Sequence, residues 1–168
     1  MALYSSLDML GSLLSNWRTR AVTPLVHGTE LIDLACGDNR LVRKLGFGKG
    51  VDIHDYGHAD LVINDFSSLP YQDGSVDTVT ILAALNYFPN PVPVLQEIRR
   101  ILKDDGTLLV TLLDKQVSSI WHKVRDRGLR RVAYSDTEVR DLFEPAGLQI
   151  KEIRRFMLGL NKIYVIGK

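Results

Sequence analysis

The sequence predicts an α/β fold, a doubly wound sheet closed by an antiparallel hairpin. Three observations carry that expectation. Short apolar runs alternate with helical patterns from residue 30 onward. The runs "TVTILAAL" and "TLLVTLL" are apolar almost throughout, as suits parallel strands covered on both faces. Finally, "LQIKEIRRFM" and "NKIYVIGK" switch to alternation with period two around Leu158-Gly159-Leu160-Asn161.

Each element has its own signal. Residues 3–17 place Leu3, Leu7, Leu10, Leu14 and Trp17 at three- and four-residue steps, one apolar helical face. Such a face packs on a core or lies on a membrane surface. The polar side (Ser5, Ser6, Asp8, Ser12) lacks the basic residues that an anionic membrane attracts, which favours a covering helix within residues 1–26. Strands are expected at Glu30–Ala35, Lys49–Ile53, Asp60–Ile63, Val76–Leu82 and Thr107–Leu113. Helices are expected at Asn39–Leu45 and at Pro91–Lys103, the second opening with Asn-Pro and ending before Asp104-Asp105-Gly106. Ser135 and Glu138 have capping-box spacing, so Asp136–Pro145 should be helical, with Ala146-Gly147 as its stop. The hairpin at 148–167 then makes the final strand antiparallel.

Composition narrows the class. With 168 residues, 45% of them hydrophobic, and no repeat or linker-like tract, residues 1–168 read as one domain with one core. A net charge of +1 gives no whole-chain argument for nucleic acid or an acidic membrane. The single cysteine, Cys36, favours a reducing compartment and reads as a small buried hydrophobe. There is no signal-peptide pattern and no apolar run of about 18 residues, so a cytoplasmic location is expected. His27, His54, His58 and His122 lack ligand spacing, and no metal site is expected.

Candidate chemistry falls at the ends of successive strands, where open α/β sheets bind ligands. The loop "DLACGDNR" follows the first strand. Asp52 ends the second, where a carboxylate accepts hydrogen bonds from ribose hydroxyls and its charge opposes a 2′-phosphate. In isolation it would equally serve as a cap or a solvated strand end. Asp65-Phe66 follows the third strand, offering an acceptor for an exocyclic amine and an aromatic cover for a purine. The competing readings are a surface turn for Asp65 and simple core for Phe66. The fourth feature is "DGSVDTVTILAALNYFPNP", running through the fourth strand into the next helix.

The chain here resembles the class I S-adenosylmethionine-dependent methyltransferases. The resemblance rests on "LIDLACGDNRLVRKL", "GVDI", "NDFSSLPYQDGSVDTVTILAALNYFPNPVPVLQEIRRILKDDGTLLVTLL" and "LFEPAGLQIKEIRRFMLGLNKIYVI", together most of residues 30–166. It implies a Rossmann-like seven-stranded sheet of order 3-2-1-4-5-7-6 with strand seven antiparallel. It also implies S-adenosylmethionine as cofactor. Asp33, Ala35 and Gly37 would line its methionine end, Asp52 would bind the ribose and Ile53 would lie against the adenine. Asp65 would take the adenine amine, Phe66 would flank the ring, and Ala83 would make a backbone contact.

Two departures from the family pattern stand out. Only His54–Asp60 separates the second and third strands, too little for the usual crossover helix, so that helix is expected to be reduced or absent and Asp60–Ile63 to be a short edge strand. Ala35 and Asn39 stand where the family often has glycine. Asn39 tolerates positive φ, whereas Ala35 is expected to need an ordinary conformation.

Methyl transfer requires alignment of acceptor, methyl and sulfur, exclusion of water and, for some acceptors, a base. Asn86 and Tyr87 are the acceptor-side candidates, with a polar loop leading into the helix as the competing reading. His122 is a candidate base or a surface histidine. Lys115, Lys123, Arg125, Arg127, Arg130, Arg131, Arg154 and Arg155 suggest an anionic acceptor if they converge, and solvated faces if they do not. The expected acceptor is a small molecule. The alternatives are a cofactor-binding but silent subunit of a hetero-oligomer, or a nicotinamide dehydrogenase, which fits Asp52 but lacks G-x-G-x-x-G.

Overall fold

The computed structural model describes residues 2–115 and 133–168, with side chains from residue 11 onward. The lysines and arginines of 123–131, and His122, lie outside the described residues. Seven strands form one sheet: β1 (Leu31–Leu34), β2 (Lys49–Asp52), β3 (Leu61–Val62), β4 (Val76–Leu82), β5 (Leu102–Leu113), β6 (Gln149–Phe156) and β7 (Asn161–Gly167). Their order is β3-β2-β1-β4-β5-β7-β6, and β7 runs antiparallel to both neighbours. The helices are α1 (Ala2–Val22), α2 (Arg40–Leu45), α3 (Pro91–Ile101) and α4 (Asp136–Phe143).

The period-two alternation of the strands divides the core between the two faces of the sheet. Ile32, Leu34, Val79, Ile81, Leu108 and Val110 point to one face and pack with Leu95 and Ile98 of α3 and with Val139 and Phe143 of α4. Leu31 and Leu109 point to the other, where they meet Leu41 and Val42 of α2 and Val22 of α1. Local chemistry sets the helix ends. Ser135 accepts from the Glu138 amide while the Glu138 side chain accepts from the Ser135 amide, which closes the capping box. Pro91 opens α3, where its missing N–H leaves no hydrogen bond unmade.

Two expectations change. The helix expected to reach Lys103 ends at Ile101, because Leu102 already pairs with Val76 in β5. Asp104-Asp105-Gly106 is therefore a break in register inside a strand, not a helix stop. The apolar face expected of α1 holds only in part at the positions described, where Leu14 is half-buried. Trp17 is 46% exposed, whereas Thr19 and Val22 are buried. Arg40 reaches across from α2 to the Ser12 carbonyl (3.2 Å) and hydroxyl (3.1 Å) and to Asn16 Oδ1 (2.8 Å), so polar bonds help fix this helix.

No helix lies between β2 and β3. A polar strap holds the short crossover in its place. Asn39 Nδ2 donates to the His58 carbonyl (2.9 Å) and to Asp60 Oδ2 (2.8 Å), and the same Asp60 oxygen accepts from the Gly50 amide (2.7 Å). Those bonds hold the Asp60 carboxyl below its usual range, the Gly50 amide contributing most. Gly50 is required sterically, since a Cβ there would meet Asn39 Oδ1 at 2.2 Å. Asn39 is buried and tied at both donor hydrogens, so it cannot swing away without breaking the strap. Gly50→Ala is expected to cost about 1–3 kcal/mol of stability in urea denaturation. An unchanged midpoint would show that the strap carries no strain-sensitive packing.

Candidate functional site

At the C-terminal ends of β1, β2 and β4 lies an open cavity of about 1120 Å³. Its floor is the loop after β1. Ala35, Gly37 and Asn39 each have φ of 55°, an alternation of left-handed residues that turns the chain sharply from strand into helix. Ala35 is therefore not in an ordinary conformation. The same device recurs after β4, where Ala83 has φ of 56°. Two adjacent central strands thus end on left-handed alanines, each at a cost of roughly 1–2 kcal/mol, and both residues line the cavity.

Asp52 joins these parts. It is 4% exposed, and its Oδ2 accepts from the Gly37 amide across the strand gap (2.9 Å). Its Oδ1 accepts from the amides of Ile53 (2.8 Å) and His54 (3.1 Å). Three protein donors use about three of the four lone-pair directions of a carboxylate, which leaves Oδ2 one direction free toward the cavity. Asp33 stands behind the cavity wall rather than in it. It is 3% exposed and accepts from the Thr80 hydroxyl at 2.5 Å, and burial first, then Asp38 and Asp52, push its carboxyl up to about 7 against the opposing Thr80 bond.

The other expected residues are distributed unevenly. Ile53 (41% exposed), Asp65 and Phe66 line the cavity. Asp65 is held in a turn by the Ser67 hydroxyl and amide, bonds that keep its carboxyl below the usual range. Phe66 belongs to the core and also to the wall, stacking on Phe88 with centroids 5.2 Å apart. Ala83 lines the cavity, but its N–H donates to Thr111, to the carbonyl at 3.1 Å and the hydroxyl at 2.9 Å. Its carbonyl oxygen is the group left to face a ligand. Tyr87 is on the wall, whereas Asn86, beside it in a 3-10 turn, is not among the lining residues. Lys115 pairs with Glu138 and Arg154 with Glu152, and neither they nor Arg155 line the cavity. Among the described residues no group of histidine, cysteine and carboxylate side chains has metal-site geometry. Burial, with Asp33 next, pushes the Cys36 thiol up to about 12, so it stays protonated.

A family model for a methyltransferase domain matches residues 32–110, the span that builds this cavity. Over this span the chain is similar to methyltransferase domains, and its sheet order is the one that the resemblance to class I S-adenosylmethionine-dependent methyltransferases implies. It is similar to the ubiquinone/menaquinone biosynthesis C-methyltransferase of Pseudomonas fluorescens, 30% identical over 108 residues that cover 64% of this chain and 42% of that protein. The match spans less than half the length of the curated relatives it first meets. In fold it is similar to a possible histamine N-methyltransferase from Thermotoga maritima (TM-score 0.77, 18% identity, 90% of this chain and 88% of that one). It is also similar to the methyltransferase complexed with the Trm112 activator in Haloferax volcanii (TM-score 0.75, 22% identity, 99% and 96%).

The sequence reading missed His54, Tyr56 and Asn64 on the wall, and Asp38 at its base. His54 and Tyr56 pack edge-on at 5.8 Å in the β2–β3 crossover. Only the shortness of that crossover signalled them, since a short loop stays at the rim. Two predictions follow from the site's strain and burial. Ala35→Gly should raise stability by about 1 kcal/mol in urea denaturation, and a loss would show that the loop is not strained at that residue. Asp33 has a folded value above its unfolded 3.8, so the fold favours its neutral form. Its contribution is present below pH 3.8 and is lost as pH rises through about 7. Asp33→Asn should therefore flatten the fall in urea midpoint across that window, and an unchanged slope would contradict the assignment.

Proposed function

We propose that the chain moves a methyl group from S-adenosylmethionine to a small-molecule acceptor by in-line displacement. The charge of the cavity wall carries the reading. Asp38, Asp52 and Asp65 line it, and among the described residues no lysine or arginine does. Such a wall opposes a dinucleotide pyrophosphate and favours a ligand bearing a sulfonium and an ammonium. The nicotinamide alternative is thereby disfavoured on electrostatic grounds as well as by its missing motif.

The residues present fit this cofactor. Oδ2 of Asp52 has capacity for one ribose hydroxyl, the Ala83 carbonyl for an ammonium, and Asp65 retains a lone pair on each oxygen for an adenine amine. Ile53 and Phe66 offer apolar surface to a purine. The bound cofactor supplies an activated methyl on a positive sulfur. The chain's part is to fix the acceptor in line with it and to keep water out. Phe88, Pro89 and Leu82 provide the apolar wall, and Tyr87 provides a hydroxyl near the acceptor side. The Pseudomonas relative named for quinone biosynthesis supports a small acceptor. A partner subunit is a second reading, favoured by likeness over nearly the whole chain to the Haloferax protein complexed with an activator.

Calorimetry with S-adenosylhomocysteine tests the cofactor, and labelled methyl transfer into a metabolite extract tests the reaction. The expected results are saturable binding, weakened about tenfold or more by Asp52→Asn, and label in a small molecule. Binding of NAD without any response to S-adenosylhomocysteine would overturn the reading. Binding without transfer would favour the silent subunit, and transfer only after a partner is added would favour the activated complex.

A further inference from the structure

The α1 side of the sheet is apolar where Leu31, Leu109 and Ile163 pack with Val22. Thr111 interrupts it. Two residues on from Leu109 and paired with Ile163 of β7, it is on the same face and fully buried. A hydroxyl placed there costs free energy unless a hydrogen bond uses it. Two buried threonines of β4 show how such hydroxyls are used in this fold. Thr78 holds the backbone of His27, and Thr80 holds the Asp33 carboxyl. Thr111 holds Ala83, whose N–H is shared between the Thr111 carbonyl at 3.1 Å and the Thr111 hydroxyl at 2.9 Å.

The carbonyl bond continues the parallel ladder, in which Leu82 is opposite Thr111, and any residue at 111 would supply it. The hydroxyl bond is what threonine adds. It fixes the plane of the peptide that enters Ala83. The chain leaving Ala83 is fixed separately, because Leu85 is fully buried and the Ala84 carbonyl accepts from the Tyr87 amide (2.9 Å) in the 3-10 turn Leu85–Tyr87. Between two fixed ends Ala83 keeps its φ of 56°, a conformation that an alanine would otherwise relax. Ala83 and Tyr87 both line the cavity, whereas Thr111 does not. One buried oxygen on β5 therefore acts on the cavity wall through its neighbour.

We propose that Thr111 is a positioning residue for ligand binding. Its hydroxyl holds Ala83 in the left-handed conformation and so aims the Ala83 carbonyl at the ammonium of the cofactor. The hold on Ala83 is a property of the free protein. The ammonium is not, so this deepens the methyltransferase reading and rests on it for the group that the carbonyl meets.

Two measurements test it. In calorimetry, Thr111→Val should weaken S-adenosylhomocysteine about tenfold and leave 5′-methylthioadenosine, which has no ammonium, within about twofold. Thr111→Ser keeps the oxygen and should restore the wild-type affinity. A merely structural threonine would alter both ligands alike. The second measurement needs no ligand and is a thermal-unfolding cycle of Thr111→Val with Ala83→Gly. Glycine adopts a left-handed φ without strain, so loss of the hydroxyl releases strain only where residue 83 is alanine. Thr111→Val should then lower the melting temperature less in the wild type than in the Ala83→Gly background. Thr111→Ala repeats the cycle with the same oxygen removed and a smaller side chain. If the wild type fails to bind S-adenosylhomocysteine while the cycle is non-additive, the methyltransferase reading fails and the hold on Ala83 stands. Equal shifts in the two backgrounds, unchanged S-adenosylhomocysteine affinity in Thr111→Val, or equal loss of both ligands would overturn the positioning role.

Discussion

The carboxylate of Asp52 is the constraint on which the rest of the site depends. Buried at the end of β2, it takes the Gly37 amide from the loop after β1 and the Ile53 and His54 amides from its own chain. Removing it would strand three donors, two strand ends and the cavity floor at once. A donor left without an acceptor where water cannot reach it costs about 1–3 kcal/mol, and the Gly37 amide, which faces the buried Asp52 carboxylate, is the one that ties the loop to β2. The loop needs such support because it holds Ala35 in a left-handed conformation. The bond that shapes the floor thus also leaves an acceptor direction open toward the cavity.

A second polar unit, Asn39–Asp60–Gly50, explains how the chain dispenses with a crossover helix. A helix would cover the edge of β2 with apolar side chains. Here, a buried amide and a carboxylate pin the crossover to the same loop that Asp52 holds. Both clamps converge on residues 35–39, and Arg40 extends the connection to α1. The loop after β1 is therefore the hub from which β2, the β2–β3 crossover and the covering helix are all positioned.

The fold was legible because turn chemistry and strand period repeat the same message. The capping box at Ser135, the Asn-Pro start of α3 and the terminal hairpin each define an end by a local rule. The place of Asp52 was legible because open α/β sheets gather their clefts at the ends of parallel strands, and it does line the cavity at the end of β2. The site was illegible where the fold bends a local preference. Alanine gives no sign of positive φ, so Ala35 and Ala83 read as ordinary residues until the two strand ends are seen side by side. Asp104-Asp105-Gly106 has turn composition but sits inside β5, because Leu102 pairs with Val76 before the register breaks. Trp17 on the face of α1 was misread because apolar periodicity assumes apolar burial, while Arg40 secures this helix through Ser12 and Asn16. His54 and Tyr56 carried no spacing signal at all.

The central claim is that this acidic cavity receives the adenosyl end of a sulfonium cofactor against Asp52. The most direct measurement is a crystal structure of the protein soaked with S-adenosylhomocysteine. The account predicts a ribose hydroxyl within hydrogen-bond distance of Asp52 Oδ2, with the Gly37 amide still bound to the same oxygen. A nucleoside seated elsewhere, or one whose ribose leaves Asp52 untouched, would contradict it.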